Sequence, residues 1–366
     1  MRAQVRPKIR RWMIATVALA LPLQVQAQAA APNASIQDAP KWCSVAPADG
    51  APYLPSLIHE LQSKLDSQPG PMVHVHTEGT LPHQGIRDES IVAERDWPVM
   101  RDAAYAWRGG AGDAYLALST RYFMAWVNVY KPDLNPIDET NLDDLIDTYA
   151  VIAPTLKPDD RAAAEAYIRA WAKAYIDSID SHRIVSPSPQ ATTWNNNWQS
   201  HRIKLVTMMA VALNDDELFH AARRLFQTQI EANIHGDGEV LDFEERDAMH
   251  YVIYDLEPLA QAALAARVRG EDWFNYQASN GASLAKGFAW LYPYANGDKP
   301  HQEFVHSKVL FDAQRAAAGE KGYSGPFDVT TAGNVMWLGA AFDPKYQAVA
   351  EKLHPKPPAW LATCGV

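Results

Sequence analysis

Two stretches of the chain carry side chains whose types and spacing suit chemistry on an anion: TWNNNWQSHRIKL from Thr193 and DFEERDAMHYVIYDLEPL from Asp242. Residues four apart share one face of a helix. Read as helices, the stretches place Asn197 beside His201 and string Arg246, His250 and Tyr254 along one stripe. An amide, a guanidinium, two imidazoles and a phenol can grip a carboxylate with hydrogen-bond donors while a Tyr or His moves a proton. No metal is expected, because no His or Cys stands four residues from His250 to share an ion with it. Each residue also has a plainer use. Asn197 suits a helix start, His201 a satisfied interior position, Tyr254 core packing with its hydroxyl on a carbonyl, and Arg246 a surface pair with Asp242 or Glu245. Trp194, Trp198, Trp273 and Trp290 read as core, with one or two left to stack on a ring-shaped ligand. His301 and Glu303 read either as closing a cleft or as holding a loop.

The elements that must position these residues read as helices nearly throughout. Apolar residues recur at helical spacing over Pro52 to Ser67, Asp113 to Tyr130, Thr140 to Ala153 and Pro158 to Asp180, the last opening on Asp159 and Asp160 at its positive end. Between the first two, the polar, glycine-bearing stretch from His74 to Ser90 is expected to form a long loop of the kind that closes over sites. The first motif helix is expected from Thr192 or Thr193 to about Leu213. Asn214 with Glu217 forms a capping box for the next helix, and Asp242 with Glu245 another for a helix running to Arg267 and kinked by Pro258. Helices from Asp272 to Tyr292 and from His301 to Ala318 follow, then an irregular stretch from Gly322 to Asn334. With no alternating strand pattern, this order predicts an all-α fold of antiparallel helix hairpins, an (α/α) toroid or incomplete α/α barrel with a polar and aromatic central face.

At 366 residues, 48% of them hydrophobic, the chain can bury a large core. Arg2, Arg6, Lys8, Arg10 and Arg11 precede an apolar run from Trp12 to Leu23 and the small-residue pattern Val25-Gln26-Ala27. Residues 1–27 therefore read as a secretory signal peptide, too short in its apolar part to span a membrane. Residues 28–41, rich in Ala, Pro, Asn and Gln, read as a linker, and 42–366 as a single domain. Loss of the leader takes five positive charges from a formal net charge of -10 and leaves -15. That balance excludes a nucleic acid as the expected partner, while an anionic ligand can still bind where basic residues gather in one cleft. Export to the periplasm or beyond permits a disulfide between Cys43 and Cys364 at the two ends of the domain, with two unpaired thiols as the alternative.

Asn195 to His201, together with Arg246, His250, Tyr254 and the Leu-Glu-Pro-Leu that follows, resemble the alginate-lyase family, meaning polysaccharide lyase family 5 and its relatives. Glu78-Gly79-Thr80 is similar to the Glu-Gly-Ser of that family's lid loop, and FAWLYPYANGDKPHQEFV from Phe288 to one of its later helices. The resemblance implies a toroid enzyme that breaks uronic-acid polymers by β-elimination without a metal or other cofactor. Carried over residue by residue, it implies that Asn197 or Asn196 and His201 hold the C5 carboxylate, that Tyr254 moves protons and that Arg246 assists them. It places His76, Glu78, Trp198 and His250 in the substrate-binding surroundings. Two departures set this chain apart. Trp198, Gln199 and Ser200 separate Asn197 from His201, which family 5 has adjacent, and His76 stands where family 5 has a Lys. Both favour polysaccharide lyase family 38, similar in fold, which includes enzymes for mannuronan and for glucuronan.

A uronate C5 proton is a poor acid because the neighbouring carboxylate is already negative. Donors must therefore stabilise an enolate-like dianion, a base must take the proton, and an acid must protonate O4. In β-1,4-linked mannuronate or glucuronate the C5 proton and O4 leave from the same side, so Tyr254 is expected to serve as base and acid in turn. That needs Arg246 or a protonated His to lower a phenol pKa of ordinarily about 10. α-Linked guluronate would instead need His201 as base. The expected function is a lyase for a β-1,4-linked polyuronate, mannuronate-rich alginate first. A glucuronan lyase and a non-catalytic periplasmic polysaccharide-binding protein are the alternatives. A hydrolase with paired carboxylates fits less well, since Glu244, Glu245 and Asp247 lie off the Arg246, His250 and Tyr254 stripe.

Overall fold

Helix follows helix along the chain, in a computed structural model that describes residues 53–185 and 192–364. The expected signal peptide (1–27), the linker (28–41) and Cys43 lie outside the described residues, as does the side chain of Cys364, and with them the expected disulfide. The helices before the first motif are α1 (Leu54–Gln62), α2 (Arg87–Glu94), α3 (Asp96–Arg108), α4 (Asp113–Val129), α5 (Asp143–Ile152) and α6 (Pro158–Val185). The motifs lie on α7 (Asn197–Ala212), α9 (Leu241–Arg246) and α10 (Met249–Arg267), with α8 (Asp216–Asn233) between them. After them come α11 (Leu284–Ala295), α12 (Leu310–Ala317), α13 (Gly333–Phe342), α14 (Gln347–Leu353) and α15 (Ala359–Cys364).

Local chemistry explains several of these boundaries. Pro158 opens α6, where its missing N–H is no loss, and Asp159 and Asp160 sit against the positive end of that helix. Asp215, rather than the expected Asn214, caps α8, its carboxylate accepting the Leu218 backbone N–H at 3.0 Å. The three residues between α7 and α8 turn the chain back as an antiparallel hairpin.

α7 is the helix on which the site is hung. It packs against α5, α6, α8 and α10, so its buried residues include Gln199, Ser200, His201, Arg202 and Lys204. A helix enclosed in this way tolerates polar groups only where partners meet them. Ser200 donates to Asp255 of α10 at 2.6 Å, and Gln229 of α8 donates to Ser200 and to the carbonyls of Asn195 and Asn196. Asn233 adds a bond to the Asn195 carbonyl at 3.0 Å. These bonds fix the start of α7. On the facing helix, the fully buried Ala260, Ala262, Ala263 and Ala266 leave room for close packing.

Four sequence expectations are corrected. The single helix expected from Asp242 to Arg267 is split at Asp247, which adopts the left-handed conformation at φ 50° and ends α9. Asp tolerates that region better than most residues, and its carboxylate accepts the backbone N–H of His306 at 2.9 Å. Asp242 is no cap: α9 starts after Val240 with no side-chain cap, and Asp242 is buried. Residues 272–283 are not helical, and α11 begins only where Ser283 accepts the Lys286 N–H. Between His301 and Val309 the chain forms β1 (Gln302–Glu303), antiparallel to β2 (Gly325–Pro326), before α12 starts.

One buried carboxylate ties together the wall behind α7. Glu139 is fully buried and accepts from the Tyr130 hydroxyl at 3.1 Å and from the backbone N–H groups of Asp133 and Leu134 at 2.9 and 3.2 Å. Its second oxygen accepts from Trp171 Nε1 at 2.9 Å and from the Tyr175 hydroxyl. Glu139→Leu would strand all five donors, each costing about 1–3 kcal/mol when buried without a partner. The expected loss of stability is about 3–5 kcal/mol, measured by denaturant unfolding; a change below about 1 kcal/mol would show that the hub is dispensable.

Candidate active site

His201 and Tyr254 meet where α7 packs on α10, their ring centroids 4.3 Å apart, and both line a cavity of about 580 Å³. The wiring behind His201 fixes its protonation. Lys204, one turn along α7, donates to the Thr140 hydroxyl at 2.8 Å, and Thr140 Oγ1 lies 2.6 Å from His201 Nδ1. With Lys204 donating to its oxygen, the Thr140 hydroxyl keeps its own hydrogen free for Nδ1, an arrangement that leaves the proton of the ring on Nε2. Burial, first, and then Lys204 hold the imidazole well below its ordinary pKa, so it is neutral. Nε2 completes no hydrogen bond, although the nearby Tyr254 backbone slightly favours its protonated form. The site thereby holds an N–H donor at its centre.

The Tyr254 hydroxyl likewise forms no hydrogen bond among the described residues. Burial, and after it Tyr251 and Glu257, raise its pKa well above the phenol value, while Arg315 works weakly against them. The expectation that Arg246 or a protonated His lowers this pKa is therefore corrected. Arg246 is committed to Asp312 of α12 at 2.6 Å and stacks 4.0 Å from the centroid of the Tyr251 ring. His250, beside Tyr254 at 6.3 Å between ring centroids, is pushed down to about 4 by burial, then by Arg315 and Arg246. Tyr254 is a protonated phenol, an acid rather than a base at rest.

The structure brings His201 and Tyr254 into the cavity and sets Asn197 and Arg246 behind them. Asn197 opens α7 with its backbone N–H on Asp242 at 2.7 Å and its amide on the other oxygen of that carboxylate. Asn196 is the cap of the same helix, accepting the Trp198 N–H at 3.1 Å. Trp198 is half-buried, with the Arg202 guanidinium 5.9 Å from its ring, and does not line the cavity. Trp194 is held between His182 and Arg202, and Trp273 packs on Phe219 and Phe226. Glu303 holds a helix end: its carboxyl accepts backbone N–H groups of Met249 and His250 at the start of α10 and is pushed up to about 7 by burial.

Two parts of the site are not legible in the sequence reading. Arg315 donates to the hydroxyls of Tyr251 and Tyr323 at 2.9 and 2.8 Å. It stands three residues from Asp312, so one face of α12 reaches α9 through Asp312 and α10 through Arg315; that spacing is the signal that points to it. The other part is Asp138-Glu139-Thr140, where consecutive residues hold the loop, the wall and the His201–Lys204 pair. Asp138 accepts the backbone N–H groups of Thr77 and Glu78 at 2.8 and 2.7 Å and lies 2.8 Å from His76 Nδ1. His76 and Glu78 are so fastened near the site, and Glu78, its pKa raised by burial and Asp138, feels Arg315. Asp138→Ala removes these anchors, and cleavage by a protease between residues 74 and 86 is expected to speed up about tenfold or more. An unchanged cleavage rate would mean the loop is held elsewhere.

Among the described residues no group of three or more His, Cys, Asp or Glu is arranged to hold a metal ion, and no helix is long and apolar enough to cross a membrane. A family model described as alginate lyase matches residues 23–301. Among solved structures, an alginate lyase from Bacteroides ovatus superposes with a TM-score of 0.62 at 14% identity, covering 90% of this chain and 100% of that one. Alginate lyase A1-III from Sphingomonas species A1 does so with a TM-score of 0.52 at 16% identity, over 72% of this chain and 81% of that one. A Tyr-to-Phe variant of alginate lyase A1-III complexed with tetrasaccharide gives 0.54 at 16% identity, over 74% and 82%. With these structures the chain shares the all-α, α/α toroid fold. No sequence among functionally described proteins matches it.

Proposed function

This chain belongs to the alginate lyase family and is a polysaccharide lyase, and from that premise we propose that it cleaves a β-1,4-linked polyuronate by β-elimination at His201 and Tyr254. One observation carries the reading: on two neighbouring helices that line one cavity, the His201 and Tyr254 rings lie 4.3 Å apart, and neither His201 Nε2 nor the Tyr254 hydroxyl completes a hydrogen bond among the described residues. The His201 Nε2–H stabilises the charge that builds on the C5 carboxylate as the proton leaves. Tyr254 delivers its proton to O4 as the glycosidic bond breaks. Asn197 and Arg246 act one layer back, the first fixing the start of α7 through Asp242, the second bracing Tyr251 and α12. Export through the leader, and a periplasmic or secreted location, belong to the same proposal.

The substrate we favour is mannuronate-rich alginate, with glucuronan second, because in both the proton and the leaving oxygen lie on one side and a single cavity wall can serve them. Incubation with polymannuronate, polyguluronate and glucuronan in turn, followed by far-ultraviolet absorbance, tests this. A rise with polymannuronate or glucuronan, where an unsaturated uronate is formed, is expected. Activity on polyguluronate alone would overturn the substrate assignment, and binding without any rise would favour a polysaccharide-binding protein.

A further inference from the structure

Two acidic side chains in the cavity, Glu94 of α2 and Glu257 of α10, are left over by the account above, and of these Glu257 shares a helix face with Tyr254. Glu257 lies three residues beyond Tyr254 on α10 and so shares its face, and both line the cavity with His201 and Lys204, which keep the same spacing on α7. The two helices therefore offer two rungs, His201 against Tyr254 and Lys204 against Glu257. Lys204 has three N–H donors, and all are spent: on the Thr140 carbonyl at 2.7 Å, the Thr140 hydroxyl at 2.8 Å and Asp143 at 2.9 Å. Glu257 receives none of them and forms no hydrogen bond or ion pair among the described residues. A carboxyl placed in a cavity beside a phenol, with no donor spent on it, is fitted to act on something that enters.

We propose that Glu257 is the catalytic base of the elimination, working beside Tyr254 on the same cavity wall; this rests on the lyase reading above. The Glu257 carboxylate takes the C5 proton, and the electron pair of that C–H bond becomes the C4–C5 double bond. The C4–O4 pair leaves with O4, which receives the Tyr254 proton. The proton on Glu257 then returns to the Tyr254 phenolate, and both groups are restored. The division of labour follows from the two environments. Burial keeps Tyr254 protonated and ready to donate, whereas Glu257 is pushed up by burial only to about 7, with Lys204 opposing and Asp143 adding to the rise. A carboxylate that ionises near neutrality is the strongest base the site can hold in its charged form at that pH. Of the charged groups on the cavity wall, Lys204 of α7 and Asp143 of α5 act on Glu257; the others are Glu94 of α2, Arg95 before α3, Arg101 of α3, and Asp144 and Asp147 of α5, while Asn334 of α13 and Trp360 of α15 carry no charge.

The test uses the full chain with Glu257→Gln and Glu257→Asp, assayed on whichever uronan the wild type cleaves, between pH 5 and pH 9. Wild-type kcat is expected to rise with pH through an apparent pKa of about 7. Glu257→Gln should lower kcat by about a hundredfold or more, leave binding of the polymer within about threefold, and abolish that rise. Glu257→Asp, which keeps an ionisable group set back by one methylene, should retain the rise at about a hundredth to a tenth of the rate, and it stands in if the Gln variant fails to fold. Full kcat in Glu257→Gln, or a loss confined to KM with the rise intact, would overturn the proposal and leave Glu257 as a ligand of a sugar hydroxyl. A wild type inactive on every uronan would overturn the lyase reading and this proposal together.

Discussion

Tyr254→Phe is expected to lower kcat by about a thousandfold, near 4 kcal/mol of transition-state stabilisation, while polymer binding stays within about threefold. The size of the effect follows from what the hydroxyl does and does not touch. It has no hydrogen-bond partner among the described residues, so its removal strands no protein group and should shift the unfolding free energy by less than about 0.5 kcal/mol. A large fall in rate with intact stability and binding can then come only from the lost proton. Steady-state kinetics alongside a binding isotherm separate the two quantities. Unchanged kcat would remove Tyr254 from the chemistry, and a loss of binding equal to the loss of rate would mark it as a ligand.

His201 offers a sharper geometric test, because Thr140 engages one of its two nitrogens while the other completes no hydrogen bond. Gln places an N–H near the position of Nε2, whereas Asn reaches only as far as Nδ1. His201→Asn is therefore expected to cost about 100–1,000-fold in kcat, the scale for removal of a donor from developing negative charge. His201→Gln should recover about tenfold of that loss. Thr140→Val should also slow the enzyme, since the tautomer is then no longer held by the Thr140 hydroxyl at 2.6 Å from Nδ1. Equal losses for Asn and Gln would show that the ring acts as packing against Tyr254 rather than as a donor. If His201 were the base, the rise of kcat with pH would survive in Glu257→Gln; a ring held neutral by burial contributes no such rise.

Much of this arrangement is legible in the sequence, for a reason visible in the elements themselves. α4, α5 and α6 have periodic apolar faces and acidic first turns, and the structure places them within a few residues of their expected limits. The pairing of α7 with α10 brings His201 to Tyr254, as the choice of those two stretches requires. What fails is what depends on contacts distant in sequence. Helical spacing runs unbroken through Arg246, His250 and Tyr254, yet Asp247 leaves the helix because its carbonyl and carboxylate serve Phe304 and His306. The Asp138-Glu139-Thr140 triad looks like an ordinary polar entry to α5 until its partners at His76, Trp171 and His201 are seen. Tyr254 was readable as a proton carrier but not as an acid at rest, because that depends on its burial and on where Arg246 is spent.

The central claim is that one cavity eliminates rather than hydrolyses, and the mass of the products tests it most directly. Apart from the one fragment that keeps each polymer's original non-reducing end, oligosaccharides released from polymannuronate, or from glucuronan if that is the polymer cleaved, should be lighter by one water than the hydrolysis product of the same length. The missing water should lie in a double bond at the new non-reducing end. Fragments of full hydrolytic mass throughout the products would contradict the account, since His201 and Tyr254 as placed here have no role in adding water across the bond.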